Sequence, residues 1–329
     1  MQSHSNCSRR YVLAGLCSLP LAMSEVAHGA SLLRGTSDDA SVLAPARAEA
    51  LQKKLAELEA ASGGRLGVAA RLHKGGKAVS YRADERFPLC STFKVLAAAA
   101  MLRDKPEALG QKIRFTQNDI QPWSPITEKH IDDGMTVAQL CAAMLQHSDN
   151  TAANLILTHL GGPQGLTSIA SSMGDEAFRL DRWEVALNSA IAGDERDTTT
   201  PLAMCTTLEG LLCGRLLPER AKRQLTNWML GCATGAGRIP AGAPKGMRVA
   251  HKTGSGENGT ANDVGVLLPP KKTEGIVKKL FVGTADTLIL ALYLTGSRLT
   301  GQENDSILAR ATRLVCAAEG LATPHDNMY

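Results

Sequence analysis

Ser91-Thr92-Phe93-Lys94 runs straight into Val95-Leu96-Ala97-Ala98-Ala99-Ala100-Met101-Leu102. Ala, Leu and Met are strong helix formers, and a run that is apolar all round predicts a buried helix. Ser91 then stands at the helix N-terminus, where unpaired N–H groups and the macrodipole favour negative charge. Lys94, three residues on, shares a face with it. A lysine kept from being a solvated cation by burial or neighbours can take a serine's proton. The plainer reading is a Ser cap and a surface Lys, since Ser-x-x-Lys arises about once by chance in a chain this long. The flanking sequence decides between the two.

Upstream, Pro45 to Ala61 reads as an amphipathic helix, with Leu51, Leu55 and Leu58 at helical spacing and Gly63-Gly64 as its stop. Arg65 to Leu72 and Ala78 to Tyr81 read as a hairpin turning at Lys74-Gly75-Gly76-Lys77. From Phe87 the pattern is helical for about 140 residues. Thr136-Val137-Ala138-Gln139 is a capping-box start to a helix reaching His147. Further helices are expected at Asn150 to Leu160, stopped by Gly161-Gly162, at Thr200 to Cys213 and at Glu219 to Leu230. Strands resume at Arg248 to Gly254, Asn262 to Leu268 and Thr287 to Leu294, and Asn304 to Glu319 closes as a helix. Helix and strands at both ends with helices between predict two lobes. An α/β lobe would be built from 31–86 and 231–329, and an all-helical lobe from 87–230. Its antiparallel sheet would be flanked by helices.

The 329 residues suffice for a sizeable core. Apolar residues at 44% and charged residues at 21% fit a globular protein. Net charge is +4 without basic tracts, which argues against nucleic-acid binding. Arg9-Arg10 precede the apolar stretch Val12 to Met23, and Ala27-His28-Gly29 offers small residues for cleavage. Residues 1–30 are therefore read as an export signal, either of the twin-arginine kind or an ordinary secretory one. The expected product is periplasmic or secreted, free of the membrane and monomeric. Of eight cysteines, Cys7 and Cys17 fall in that signal. Cys90, Cys141, Cys205, Cys213, Cys232 and Cys316 show no metal-ligand spacing or disulfide ladder. His73, His130, His147, His159 and His251 are scattered, and no metal or cofactor is expected.

Two further stretches carry chemistry. Ser148-Asp149-Asn150 stands at a break between helices, where short polar side chains can face a cleft, although such residues are also ordinary turn formers. Lys252-Thr253-Gly254, followed by Ser255, ends a strand, where Gly254 would let a ligand approach the backbone and Lys252 adds charge. Either could be structural alone. In this order, Ser-x-x-Lys, Ser-Asp-Asn and Lys-Thr-Gly resemble the active-site set shared by serine β-lactamases and penicillin-binding proteins. Arg182-Trp183-Glu184-Val185-Ala186-Leu187-Asn188 is similar to the Ω-loop of class A β-lactamases, which transpeptidases lack. The resemblance extends from about Pro45 to the C-terminus.

The resemblance implies hydrolysis of a β-lactam amide through an acyl-enzyme on Ser91. Lys94 or Glu184, acting through water, would activate Ser91, and Ser148 would pass a proton to the leaving nitrogen. Glu184 and Asn188 would hold the hydrolytic water. Asn150 would take the substrate's side-chain amide, and Lys252, Thr253, Ser255 and Arg238 its carboxylate. The N–H groups of Ser91 and Ser255 would form an oxyanion hole. Trp123 would stand at the cleft mouth, and Arg182 with Asp197 would close the Ω-loop, 182–197. A peptidoglycan D,D-peptidase and a non-catalytic penicillin-binding domain are the alternatives, since they share the first three motifs.

Several positions depart from the family. Val185 replaces the proline that many relatives carry after a cis peptide. Gly256 stands where carbapenem-hydrolysing relatives carry the cysteine that pairs with the one before the nucleophile, here Cys90, and Ala98 stands at the position of Cys141's usual mate, so neither disulfide is expected. Pro269 to Ala285 is longer than the usual turn.

Overall fold

The computed structural model describes residues 45–75, 78–270 and 287–321. The export segment with Cys7 and Cys17, Gly76-Lys77 of the hairpin turn, and 271–285 of the long turn lie outside them. The first helix spans Pro45–Ser62 (α1), and the hairpin is Arg65–Leu72 (β1) with Val79–Tyr81 (β2). Phe87–Pro88 (β3) leads into a 3₁₀ turn, Cys90–Phe93, and then α2, Lys94–Asp104. Two short strands, Lys112–Ile113 (β4) and Met135–Thr136 (β5), pair before α3 (Val137–Gln146), α4 (Asn150–His159) and α5 (Gly162–Ser172). Thr198–Thr199 (β6) pairs with β3, and α6 (Pro201–Leu212), α7 (Glu219–Leu230) and the single turn α8 (Ile239–Gly242) follow. Arg248–Gly256 (β7), Thr260–Leu268 (β8), Leu288–Thr295 (β9) and α9 (Gly301–Ala318) complete the described chain.

Four long strands and the short β2 form one antiparallel sheet in the order β2-β1-β9-β8-β7. β9 is apolar throughout because both of its faces are covered. Leu290, Leu292 and Leu294 pack with Leu55 and Leu58 of α1 and Ile307, Leu308 and Val315 of α9. Ile289, Ala291 and Tyr293 join Phe87, Phe93 and the helical region in a second core. α2 runs buried through that region, from Lys94 to Leu102. Its four alanines let neighbouring helices approach closely, since interaxial distance follows side-chain size.

Gly161-Gly162, expected only to stop a helix, also starts one. Both lie at positive φ, +84° and +79°, which turns the chain, and Pro163 in the first turn suits a new helix. α5 therefore follows α4 almost at once.

Candidate active site

Thr136 and Gln139 form the expected capping box at the start of α3. Between α3 and α4 the chain turns through Ser148, at φ +59°. Asp149 faces away from the cleft, contrary to the simplest reading of Ser148-Asp149-Asn150. Fully buried, it accepts from Ala152 N as the α4 cap, and from Ile126 N, Thr127 N and Thr127 Oγ1. It thereby fixes the loop ahead of it, while Ser148 and Asn150 turn towards Lys94.

Lys94 is the first residue of α2, and its side chain is fully buried. Its ammonium donates to Asn150 Oδ1 at 2.7 Å and Ser148 O at 2.9 Å, and lies 2.9 Å from Glu184 Oε1. Burial pushes this ammonium below its ordinary range, against the opposing pull of Glu184. Ser91 Oγ donates to the same Glu184 Oε1 at 3.2 Å. Nucleophile and lysine thus meet on one carboxylate oxygen. Glu184 Oε2 accepts from Asn188 Nδ2 at 2.6 Å. Asn188 Oδ1 is buried without a protein partner among the described residues, which leaves an acceptor beside the carboxylate.

The Ω-loop holds Glu184 in place. Arg182 Nε donates to Asp197 Oδ2 at 2.5 Å, and Asp197 Oδ1 accepts from the N–H groups of Asp181 and Arg182. Asp197 is buried, so the pair is shielded from solvent. Asn154 supplies a clamp that sequence reasoning missed. Its Oδ1 accepts from Glu184 N and its Nδ2 donates to Glu184 O, both at 3.0 Å. The signal was available: Asn154 lies four residues after Asn150, on the same face of α4. The Glu184–Val185 peptide is cis although Val185 replaces proline.

On the other side, β7 is an edge strand of the sheet and adjoins the Ser91 turn. Lys252 Nζ donates to Ser148 Oγ at 3.0 Å and to Thr253 O at 2.7 Å. Burial, and then the charge of Lys94, pushes Lys252 down to about 7. Gly254 serves a different purpose from the one expected. A Cβ there would lie 2.9 Å from Leu89 O and 3.2 Å from Cys90 Cβ, so its bareness admits the nucleophile turn rather than a ligand. Ser255 Oγ accepts from Arg238 Nη2 at 2.8 Å. Arg238 is anchored by Gly254 O, Asn262 O and, through Nε, by Asp305 of α9 at 2.6 Å. Thr253 Oγ1 lies 2.6 Å from Thr234 Oγ1. Trp123 stands at φ +60° and 65% exposed, with Nε1 donating to His147 O at 3.0 Å.

Ser91, Lys94, Ser148, Asn150, Glu184, Asn188 and Lys252 are therefore joined in one hydrogen-bonded network. Thr253, Ser255 and Arg238 continue it along β7, and Arg182 with Asp197 lies behind the loop. Cys90, Cys141, Cys205, Cys232 and Cys316 carry free thiols. His73 and His251 pair with carboxylates, Glu209 and Asp263. Among the described residues, no group of three His, Cys, Asp or Glu side chains is placed to hold a metal, and no helix is long and apolar enough to cross a membrane.

Comparison with known proteins agrees with this geometry. The family model described as "Beta-lactamase enzyme family" matches residues 50–315. Beta-lactamase OXY-1 of Klebsiella oxytoca is 46% identical over 279 residues, covering 84% of this chain and 91% of that protein. Beta-lactamase Toho-1 of Escherichia coli is 42% identical over 310 residues, covering 93% and 97%. Among solved structures, the class A β-lactamase of the last common ancestor of Gram-negative bacteria superposes with a TM-score of 0.76 at 47% identity, over 82% of this chain and 99% of that one. The arrangement of the Ser91 network and these likenesses lead to the same assignment: the chain belongs to the class A serine β-lactamases.

Proposed function

We propose that the protein hydrolyses the β-lactam amide of antibiotics through an acyl-enzyme on Ser91, and so confers resistance. The observation that carries this is the Glu184 carboxylate, with Ser91 Oγ and Lys94 Nζ on one oxygen and Asn188 on the other. It gives the site a base for deacylation, which a protein that merely acylates does not need.

In acylation, Ser91 Oγ attacks the lactam carbonyl as its proton leaves towards Glu184 or Lys94. Lys94, disfavoured as a cation by burial, can accept it. The N–H groups of Ser91 and Ser255 receive the developing oxyanion. Ser148, bonded to Lys252, delivers a proton to the leaving nitrogen and is replenished by that lysine. Lys252, Thr253 and Ser255 bind the substrate carboxylate, Asn150 the side-chain amide, and Trp123 borders the entrance. In deacylation, Glu184 takes a proton from a water held between its carboxylate and Asn188 Oδ1, and that water attacks the ester. On this reading the described residues of the expected α/β lobe, from 31–86 and 231–329, flank the cleft on one side and the helical lobe of 87–230 flanks it on the other. We expect a monomer that binds no nucleic acid, with residues 1–30 directing export to the periplasm or beyond.

A nitrocefin assay tests the reading. Steady turnover is expected, whereas a single stoichiometric burst would identify a penicillin-binding protein or D,D-peptidase instead.

Arg238 acts here through Ser255. Its guanidinium already serves Asp305, two carbonyls and Ser255 Oγ, leaving little donor capacity for a ligand. Arg238→Ala removes both its charge and the fixed orientation of Ser255. A charge-assisted contact contributes roughly 1.5–3 kcal/mol. KM should rise by about 10–100-fold with a smaller change in kcat, as for a contact made in both ground and transition states. An unchanged KM would show that Lys252, Thr253 and Ser255 suffice. For export, the double change Arg9→Lys and Arg10→Lys should retain the protein in the cytoplasm if the signal is of the twin-arginine kind. Unchanged periplasmic activity would assign it to the general secretory route.

A further inference from the structure

A row of residues crosses the sheet beneath the nucleophile turn, and the proposed hydrolysis uses none of them as a reacting or binding group. Register pairs Gly254 of β7 with Asn262 of β8, Asn262 with Tyr293 of β9, and Tyr293 with Gly67 of β1. Directly paired residues of antiparallel strands point to one face. Here it is the face on which Tyr293 joins Phe87 and Phe93.

The glycines are bare where the chain leading to Ser91 presses closest. A Cβ at Gly67 would lie 2.6 Å from the Phe87 ring, and one at Gly254 2.9 Å from Leu89 O. The two residues between them carry polar groups aimed at the same segment. Asn262 is fully buried, and its Nδ2 donates to Pro88 O at 2.8 Å and to Leu89 O at 3.3 Å. Its Oδ1 accepts from Leu294 N at 3.3 Å, which orients the amide. Tyr293, also fully buried, places its hydroxyl 3.3 Å from Thr92 Oγ1. Thr92 Oγ1 gives its single proton to Leu89 O at 2.7 Å, so Tyr293 is the donor of that pair.

Pro88 and Leu89 lead directly into Cys90, which stands at φ +44° in the left-handed region. A residue other than glycine keeps such a conformation only where its surroundings over-determine it. Leu89 supplies that constraint. Its carbonyl accepts from Asn262 and from both the N–H and the hydroxyl of Thr92, and its N–H donates to Asp197 O at 2.8 Å. The peptide after Cys90 carries the Ser91 N–H. The place of that N–H relative to Ser255 N on β7 is therefore set from β8, the strand beside β7.

We propose that Asn262, with Tyr293 beside it, is a positioning residue for the oxyanion hole of Ser91 N and Ser255 N. The role rests on the acyl transfer proposed above. Both side chains reach the hole only through Pro88, Leu89 and Thr92. Oxyanion donors act by being preorganised where charge develops. A Ser91 N–H that drifts should weaken the acyl-transfer steps, while Lys252 and Thr253 keep their hold on the substrate carboxylate.

The test takes Glu184→Gln as parent, in which the acyl-enzyme should persist, and compares it with Glu184→Gln/Asn262→Leu. Leucine matches asparagine in size and donates nothing. The infrared stretch of an ester carbonyl falls as hydrogen bonds to its oxygen strengthen, so the acyl-enzyme band should move to higher frequency in the double variant. Losing an oxyanion donor outright costs about 10²–10³-fold, so displacing one should slow the saturating nitrocefin burst by about 10–100-fold. The half-saturating concentration should not change. Val266→Ala in the same parent truncates another fully buried side chain on that face of β8. It should lower the urea midpoint and leave band and burst in place. An Asn262→Leu protein that does the same, or a band displaced as far by Val266→Ala, would overturn the proposal. Should Asn262→Leu not fold, Tyr293→Phe, which removes one hydroxyl, decides: a band moved to higher frequency supports the role, and an unmoved one overturns it. A parent that never acylates Ser91 would instead contradict the proposed function itself, and this role with it.

Discussion

In a Glu184→Gln variant, hydrolysis of a penicillin should halt after one turnover. Glutamine keeps the size of the side chain but one acceptor oxygen of two: with its carbonyl towards Asn188 Nδ2 the first of these contacts, now 2.6 Å, is kept, and its amide can donate to Ser91 Oγ where the carboxylate accepts at 3.2 Å. Asn154 still holds the backbone on both sides. The base is lost, together with one acceptor oxygen. Acylation survives because Lys94 remains beside Ser91, with Asn150 and Ser148 to anchor it and burial to suppress its charge. Deacylation has no such substitute, since Lys94 is committed to the Ser91 side of the carboxylate. A positioned general base contributes about 10²–10⁴-fold, so kcat should fall by that factor. A burst of one drug equivalent should remain. Stopped-flow measurement of nitrocefin cleavage reads both quantities in one trace.

Lys94→Ala should have the second large effect, and on two properties. The ammonium is the cationic partner of Glu184 in a pair whose two side chains are wholly shielded from water. Breaking a buried pair by removing one partner costs about 3–5 kcal/mol, because the remaining charge is left uncompensated. Asn150 Oδ1 and Ser148 O lose their donor as well. Urea unfolding should show a lower midpoint. Acylation should also slow by about 10²–10⁴-fold, because the group that can take the Ser91 proton and orient Glu184 is gone. A Lys94→Ala protein that acylates at the wild-type rate would leave Glu184 alone as the activating base.

Much of this site can be read from the chain because its motifs are local. Ser91 and Lys94 share a helix turn, and Lys252, Thr253 and Ser255 share a strand. The hairpin, the apolar β9 and the capping box of α3 follow from periodicity and turn chemistry. What escaped reading depends on tertiary neighbours. Asp149 turns away from the cleft because Ile126 and Thr127 offer it N–H groups, a fact of loop packing. Gly254 is bare towards Leu89 and Cys90 because β7 is pressed against the nucleophile turn, and no local pattern shows which face will be crowded. Asn154 was visible as a same-face neighbour of Asn150, yet its partner arrives from a loop about thirty residues away. His251 and Asp263 are cross-strand neighbours, a relation set by the register of β7 and β8. The helix α5 was hidden by two glycines that both end one helix and turn the chain into the next.

The claim on which the account rests is that a water activated by Glu184 clears an ester from Ser91. Intact-mass spectrometry of the wild type and of Glu184→Gln, each mixed with a small excess of a penicillin and followed until the drug is consumed, addresses it directly. The wild type should return to its unmodified mass. The variant should keep one added drug mass, and digestion should place it on the peptide containing Ser91. A variant that also returns to its unmodified mass at the wild-type rate, or an adduct on a peptide without Ser91, would contradict the account.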